Sequence, residues 1–222
     1  AADTGMDVLT HATEAYTSNF ANDYTDGIAL QTIKLVFQYL EKSVLTGDPE
    51  AREKIHNAST MAGMAFANAF LGMSHSMAHK IGGRFHTVHG RTNAILLPYV
   101  IRYNGTRPSK TTTWPKYNYW KADEKFQDIA RMLGLPHSTP EEAVAAYAKA
   151  VYELGEKVGI KMNFKDQGID EQEWKKYTHE LALLAYEDQC SPANPRLPMV
   201  ADMEEIMNDA YYGYKERPGR IK

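Results

Sequence analysis

A single cysteine, Cys190, stands in a chain of 222 residues. That excludes an intrachain disulfide and any zinc site built on cysteine pairs, and it suits a reducing, cytoplasmic setting. Long apolar runs are missing as well. No stretch approaches the ~18–20 residues that a membrane span needs, and the opening "AADTGMDVL" has neither the basic nor the apolar region of a signal peptide. No membrane partner is expected. Neither sign of charge dominates, with 25 Lys+Arg against 28 Asp+Glu and a net charge of −3. Binding nucleic acid by counterion release needs a basic face, so no nucleic-acid partner is expected either. Several catalytic signatures are absent: the "HELAL" at His179 lacks the second histidine of HExxH, and there is no GxSxG, P-loop or GxGxxG. These gaps exclude a zincin protease, a serine-hydrolase elbow and a self-contained nucleotide cradle.

What the chain does have is helical period. Apolar residues make up 43% and charged residues 24%, ordinary for a globular protein, and the length admits one or two cores. In "DGIALQTIKLVFQYLEKSVL" the apolar positions recur at three- and four-residue steps, as on an amphipathic helix. Asp48 with Pro49, Thr139 with Pro140 and Glu142, and Asp170 with Glu173 each read as a helix start. The alanine-rich end of "EAREKIHNASTMAGMAFANAF" suits a helix packed closely on all sides. Strand alternation is not found, and eight or nine helices are expected. One irregular stretch, "YNGTRPSKTTTWPKYNYWKAD" at 103–123, holds two prolines and five aromatics and has no helical period. A loop of that length is often functional or an interaction surface. The chain also opens directly on a helix-start signal, as a piece cut at a domain boundary would.

Histidine is where the chain is unusual. Four of its eight, His75, His79, His86 and His89, fall within "GMSHSMAHKIGGRFHTVHG". His75 and His79 stand four apart, so on a helix they share a face, and Gly82 and Gly83 are expected to end that helix before His86 and His89. A partner of opposite charge stands near the start: Asp7 and His11, also four apart. The plainer alternative makes Asp7 the return partner of Thr4 in a capping box and His11 a buried imidazole. Taken together, the two stretches describe a site of three imidazoles and one carboxylate. That set suits Fe(II) or Zn(II) and not Ca or Mg. Spacing leaves open which three histidines ligate; His56, His137 and His179 sit among polar neighbours and read as solvated.

These residues resemble a known family. "GMDVLTHATEAYTS" and "GMSHSMAHKIGGRFHTVHGRTNAILLPYVIRYN" look like the metal-binding half of the iron-dependent (group III) alcohol dehydrogenases, with its D-x-x-x-H helix and its H-x-x-x-H followed ten residues later by H-G. The likeness continues to "DQCSPANPR". The segment from Thr106 to Pro136, which holds most of the irregular stretch, is similar to the alcohol-dehydrogenase domain of bifunctional aldehyde–alcohol dehydrogenases, fermentative enzymes that carry acetyl-CoA through acetaldehyde to ethanol.

The resemblance implies an all-α fold: residues 1–222 as one helical metal-binding domain of the dehydroquinate synthase-like type, without the N-terminal Rossmann-type α/β domain. It implies metal ligands Asp7, His11, His75 and His89. It places His79 as a catalytic, non-ligand histidine near substrate and nicotinamide, and Leu71 and Cys190 beside it at the nicotinamide end. His86 has no counterpart and is read as structural. Fe(II), or Zn(II) in its place, and NAD(H) held mainly by the other domain are the implied cofactors. Small alcohols and aldehydes are the implied substrates, and the full-length protein is expected to form a homo-oligomer or filament. The isolated chain is expected to bind metal but show little dehydrogenase activity. Two readings from other classes are a helical metallohydrolase, which the lack of any His-Asp dipeptide disfavours, and a non-catalytic assembly module that uses the 103–123 insert.

Overall fold

The computed structural model describes residues 1–108 and 120–213. Among them are α1 (Ala2–Thr17), α2 (Asp23–Leu45), α3 (Pro49–Ala69), α4 (Met73–Phe85), α5 (His89–Asn104), α6 (Ala122–Leu133), α7 (Pro140–Lys157), α8 (Glu171–Tyr186) and α9 (Val200–Tyr212), a 3-10 turn at Ser191–Ala193, and no strand. Four helix starts rest on side-chain caps. Asn22, Asp48, Thr139 and Asp170 each turn an oxygen onto backbone N–H groups of the first turn, the donors a helix cannot satisfy internally. At Thr139 the box is completed one residue early, because the Glu142 carboxylate takes the Ser138 N–H.

Three expectations about the helices are corrected. α1 begins at Ala2 without a side-chain cap, so Thr4 lies inside the first turn and its hydroxyl donates to the Ala1 carbonyl at 3.0 Å. Asp7 is thereby left free of any capping role. Gly82 and Gly83 do not break α4, which runs to Phe85 and ends at His86 in the left-handed region, φ 54° and ψ 33°. And α3 is not packed on all sides. Ala58, Ala62, Ala65 and Ala69 line one buried face, while Met64 and Ala67 are exposed. The helix enclosed almost all round is α5, where every residue from Thr92 to Ile101 is buried, Pro98 included. A helix apolar on every face belongs in a core.

That helix organises the rest. α5 packs on α1, α4, α7 and α9; α1 also meets α2 and α3; α8 and α9 cover α4. A single apolar core runs through all nine helices of the described residues. Of the irregular stretch at 103–123, residues 109–119 lie outside the described residues; its flanks are the ends of α5 and α6.

The crossing of α1 and α5 is close because Gly90 has no side chain. A β-carbon there would overlap the Asp3 carbonyl and meet Asp7 Cβ at 3.0 Å. Backbone cannot yield as a flexible side chain does, so Gly90→Ala is expected to destabilise the fold by about 1–3 kcal/mol, despite alanine's better helix propensity. Urea unfolding measures this, and an unchanged or raised midpoint would refute it.

Candidate metal centre

The centre lies where α1, α4 and the first turn of α5 meet. On α1, Asp7, His11 and Glu14 follow one another at four- and three-residue steps and share a face. Glu14 is the innermost, its side chain 2% exposed. Its carboxylate accepts three N–H groups from the start of α4: Gly72 N at 3.0 Å, Ser74 N at 2.7 Å and His75 Nδ1 at 2.6 Å. Burial pushes the Glu14 pKa up, but the His75 charge and hydrogen bond and the two backbone donors outweigh it and hold the group below its ordinary value. Glu14 is therefore an ionised acceptor at neutral pH, and His75 must carry its proton on Nδ1.

The other nitrogen of His75 presents a lone pair whenever the ring is neutral, with Nδ1 carrying its single proton. His75 Nε2 is buried and has no hydrogen-bond partner. It faces Asp7 Oδ1 at 3.8 Å, and His89 Nε2 faces the same oxygen at 3.7 Å. In that form the buried His75 Nε2 and the Asp7 carboxylate are acceptors turned toward each other, which repel, and a buried polar atom without a partner is costly. A cation between them removes both penalties. His11 is prepared in the same sense: Nδ1 donates to the Asp7 backbone carbonyl at 2.7 Å, which leaves Nε2 for a ligand. Burial, followed by the neighbouring His75, lowers the His11 pKa, and burial likewise lowers that of His89. Both are thus neutral, the form that ligates.

Asp7, His11 and His75 offer ligand atoms all within 4.8 Å of one another. His89 stands outside that trio, on a ring 5.4 Å from that of His75. Asn93, one turn along α5, donates to Asp7 Oδ1 at 2.9 Å and lies 3.1 Å from His89 Nε2. His79 stacks on His89 with centroids 5.6 Å apart and is held from the other side by the loop after α8. There Asp188 Oδ2 accepts from His79 Nδ1 at 3.1 Å and from Lys80 Nζ at 2.8 Å. Cys190 is buried near the start of the 3-10 turn, and Leu71 is half-buried on the turn between α3 and α4. His86 is the exposed C-cap of α4; His56 and His179 are exposed, and His137 bonds its own turn.

Three of the four ligand-type residues, Asp7, His11 and His75, thus come together, and His89 stands beside them. The sequence reading gave no role to Glu14, Asn93 or Asp188. For the first two a signal existed: Glu14 continues the Asp7–His11 stripe, and Asn93 lies four residues after His89 on the same face. Asp188 offered none, since it reaches His79 across the fold.

Comparison with known proteins gives the family. The profile of the Fe-containing alcohol dehydrogenase family, C-terminal part, matches residues 1–211, and the chain belongs to that family. It is 79% identical over its whole length to the aldehyde-alcohol dehydrogenase of Streptococcus pneumoniae serotype 2 (strain D39 / NCTC 7466), of which it spans 25%. Among solved structures, a 1,3-propanediol oxidoreductase superposes with a TM-score of 0.82 at 36% identity, over 95% of this chain and 51% of that one. A sulfoacetaldehyde reductase from Bifidobacterium kashiwanohense, solved in complex with NAD+, gives 0.75 at 26% identity, over 93% of this chain and 48% of that one. The chain thus spans a quarter of the curated relative's length and about half of each solved chain. The family is one of iron-containing oxidoreductases that act on small alcohols and aldehydes.

Glutamine at position 14 would replace one acceptor oxygen with a donor, and one of the three α4 N–H groups would lose its partner. Glu14→Gln is expected to weaken Zn(II) or Fe(II) binding about 10–100-fold, as measured by equilibrium dialysis with metal analysis. Unchanged affinity would refute the orienting role.

Proposed function

We propose that this chain is the helical metal-binding half of an NAD-dependent alcohol dehydrogenase whose full-length form interconverts acetaldehyde and ethanol. Asp7, His11, His75 and His89 are the metal ligands. The observation that carries the reading is the buried, unpartnered His75 Nε2 facing the Asp7 carboxylate. The identity to an aldehyde-alcohol dehydrogenase supports the substrate assignment. Fe(II), or Zn(II) in its place, would supply at this point a Lewis acid that polarises the alcohol or aldehyde oxygen.

The chain's own residues supply the rest. Asp7 contributes negative charge that partly offsets a dication. His11 and His75 are each fixed by Nδ1, one on a backbone carbonyl and one on Glu14, so their Nε2 atoms are aimed before any cation arrives. His89 supplies the fourth position from the first turn of α5, and the amide of Asn93 holds it beside Asp7. His79 is the catalytic residue. It neighbours the ligand rings without joining them, and an imidazole can both take and give a proton near neutral pH. With Leu71 and Cys190 it forms this half's contribution to the nicotinamide end of the cofactor site. An α/β domain elsewhere in the full-length chain holds the remainder of NAD(H), and residues 1–222 act as one helical domain beside it. No helix among the described residues is long and apolar enough to cross a membrane, and the buried, unpaired Cys190 supports a reducing, cytoplasmic setting.

Two measurements test this. In the full-length protein His75→Ala is expected to abolish stoichiometric metal, counted by mass spectrometry. It should also lower NADH-dependent acetaldehyde reduction by at least about 100-fold, as loss of a Lewis-acid contribution of several kcal/mol requires. The helical half alone is expected to bind metal and turn over no acetaldehyde. Full metal content in His75→Ala, or robust turnover by the half alone, would overturn the assignment.

A further inference from the structure

We propose that Asp188 is a positioning residue for the dehydrogenase reaction: it holds His79 by Nδ1, so that proton exchange is confined to Nε2. The inference rests on the reading of His79 as the proton-transferring group. Asp188 lies in the loop between α8 and the 3-10 turn and is 9% exposed. Its carboxylate is fully engaged. Oδ2 accepts from His79 Nδ1 at 3.1 Å and Lys80 Nζ at 2.8 Å, and Oδ1 accepts the Cys190 N–H at 3.0 Å.

The direction of the His79 bond is what matters. A carboxylate on Nδ1 selects one tautomer and leaves Nε2 as the exchanging nitrogen, as orienting carboxylates do in histidine-dependent catalysis. Among the described residues no partner takes His79 Nε2, and the ring is 34% exposed and stacked on His89. Lys80, the next residue on α4, supplies the cation that a nearly buried carboxylate needs, so Asp188 stays in place as an acceptor. Through the Cys190 N–H the same carboxylate also fixes the loop that carries the Asn194-Pro195-Arg196 motif.

A rival reading treats the cluster as a second metal site, since His79, Asp188 and Cys190 offer ligand atoms within 4.8 Å of one another. Two facts oppose it. The Lys80 ammonium already occupies Asp188 Oδ2, and Asp188 Oδ1 already accepts the Cys190 N–H.

A double-mutant cycle in the full-length, metal-loaded protein tests the proposal. Asp188→Asn keeps the shape and an acceptor for the Cys190 N–H but loses the charge. Its kcat is expected to fall about 10–100-fold, the usual cost of removing an orienting partner, with KM for acetaldehyde little changed and metal content at the wild-type value. The double variant with His79→Ala should be no slower than His79→Ala alone, because Asp188 acts through that ring. Should Asp188→Asn fail to fold, Asp188→Ser takes its place: a hydroxyl can still accept the N–H two residues on but is too short to hold His79. Multiplying effects in the double variant, or loss of metal in either single Asp188 variant, would overturn the proposal and leave the role of His79 intact. A normal kcat in His79→Ala would overturn both.

Discussion

The buried carboxylate of Glu14 is the interaction on which the centre depends. An ionised group so far from water is tolerable only when its oxygens are saturated, and three N–H groups from the start of α4 saturate them. The partial positive charge of a helix N-terminus adds to the attraction. One contact therefore accomplishes two things. It docks α1 onto α4, and it fixes both the tautomer and the direction of His75. Asp7 and His11 lie further toward the N-terminus on the same face of α1, so the docking that satisfies Glu14 also carries them to the site.

The other side of the α4 terminus is closed by the C-terminal part of the chain. α4 has no side-chain cap of its own. Its Met73 N–H goes to Asn194 Oδ1 at 3.2 Å, and Asn194 is locked in a reciprocal amide pair with Asn104 at the end of α5. The cap is thus assembled from α1 and from the loop before α9. Gly72 is required at the junction, since a β-carbon there would meet Asn194 Oδ1 at 2.7 Å and Glu14 Oε1 at 3.0 Å. Arg196, two residues on, donates to the Tyr103 carbonyl at 2.9 Å and stacks over its ring. Asn194 and Arg196 thus brace the candidate site from behind, at the point where α4 starts.

Much of this was legible in the sequence, for a stated physical reason. Side chains four apart on a helix share a face, so Asp7–His11 and His75–His79 announced themselves, as did the caps at Asp48, Thr139 and Asp170. What stayed hidden depends on packing across the chain. The partnership of Glu14 with His75 joins residues 61 apart, and that of His79 with Asp188 joins residues 109 apart. Glycine misled at 82 and 83, where tertiary packing sustains a helix that local propensity would end. Alanine misled in α3: small side chains permit close approach on any face, but only one face here has a neighbour. Thr4 looked like a cap because the residue type is right, yet the helix starts earlier and Asp7 is released for the site.

The first described helix has no side-chain cap of its own. Yet it carries two of the proposed four donors, while the others stand on α4 and α5. A shared cation would therefore act as a cross-link between α1 and the helix around which the core is built. By mass action, any species that binds only the closed arrangement stabilises it, by roughly 2.7 kcal/mol when its free concentration is 100 times Kd. The metal would then have a mechanical duty besides its chemical one, keeping α1 seated on α5. Without the ion that cross-link would be missing, and the seating of α1 on α5 would rest on packing, the Arg91–Asp3 ion pair and the Asn93–Asp7 hydrogen bond.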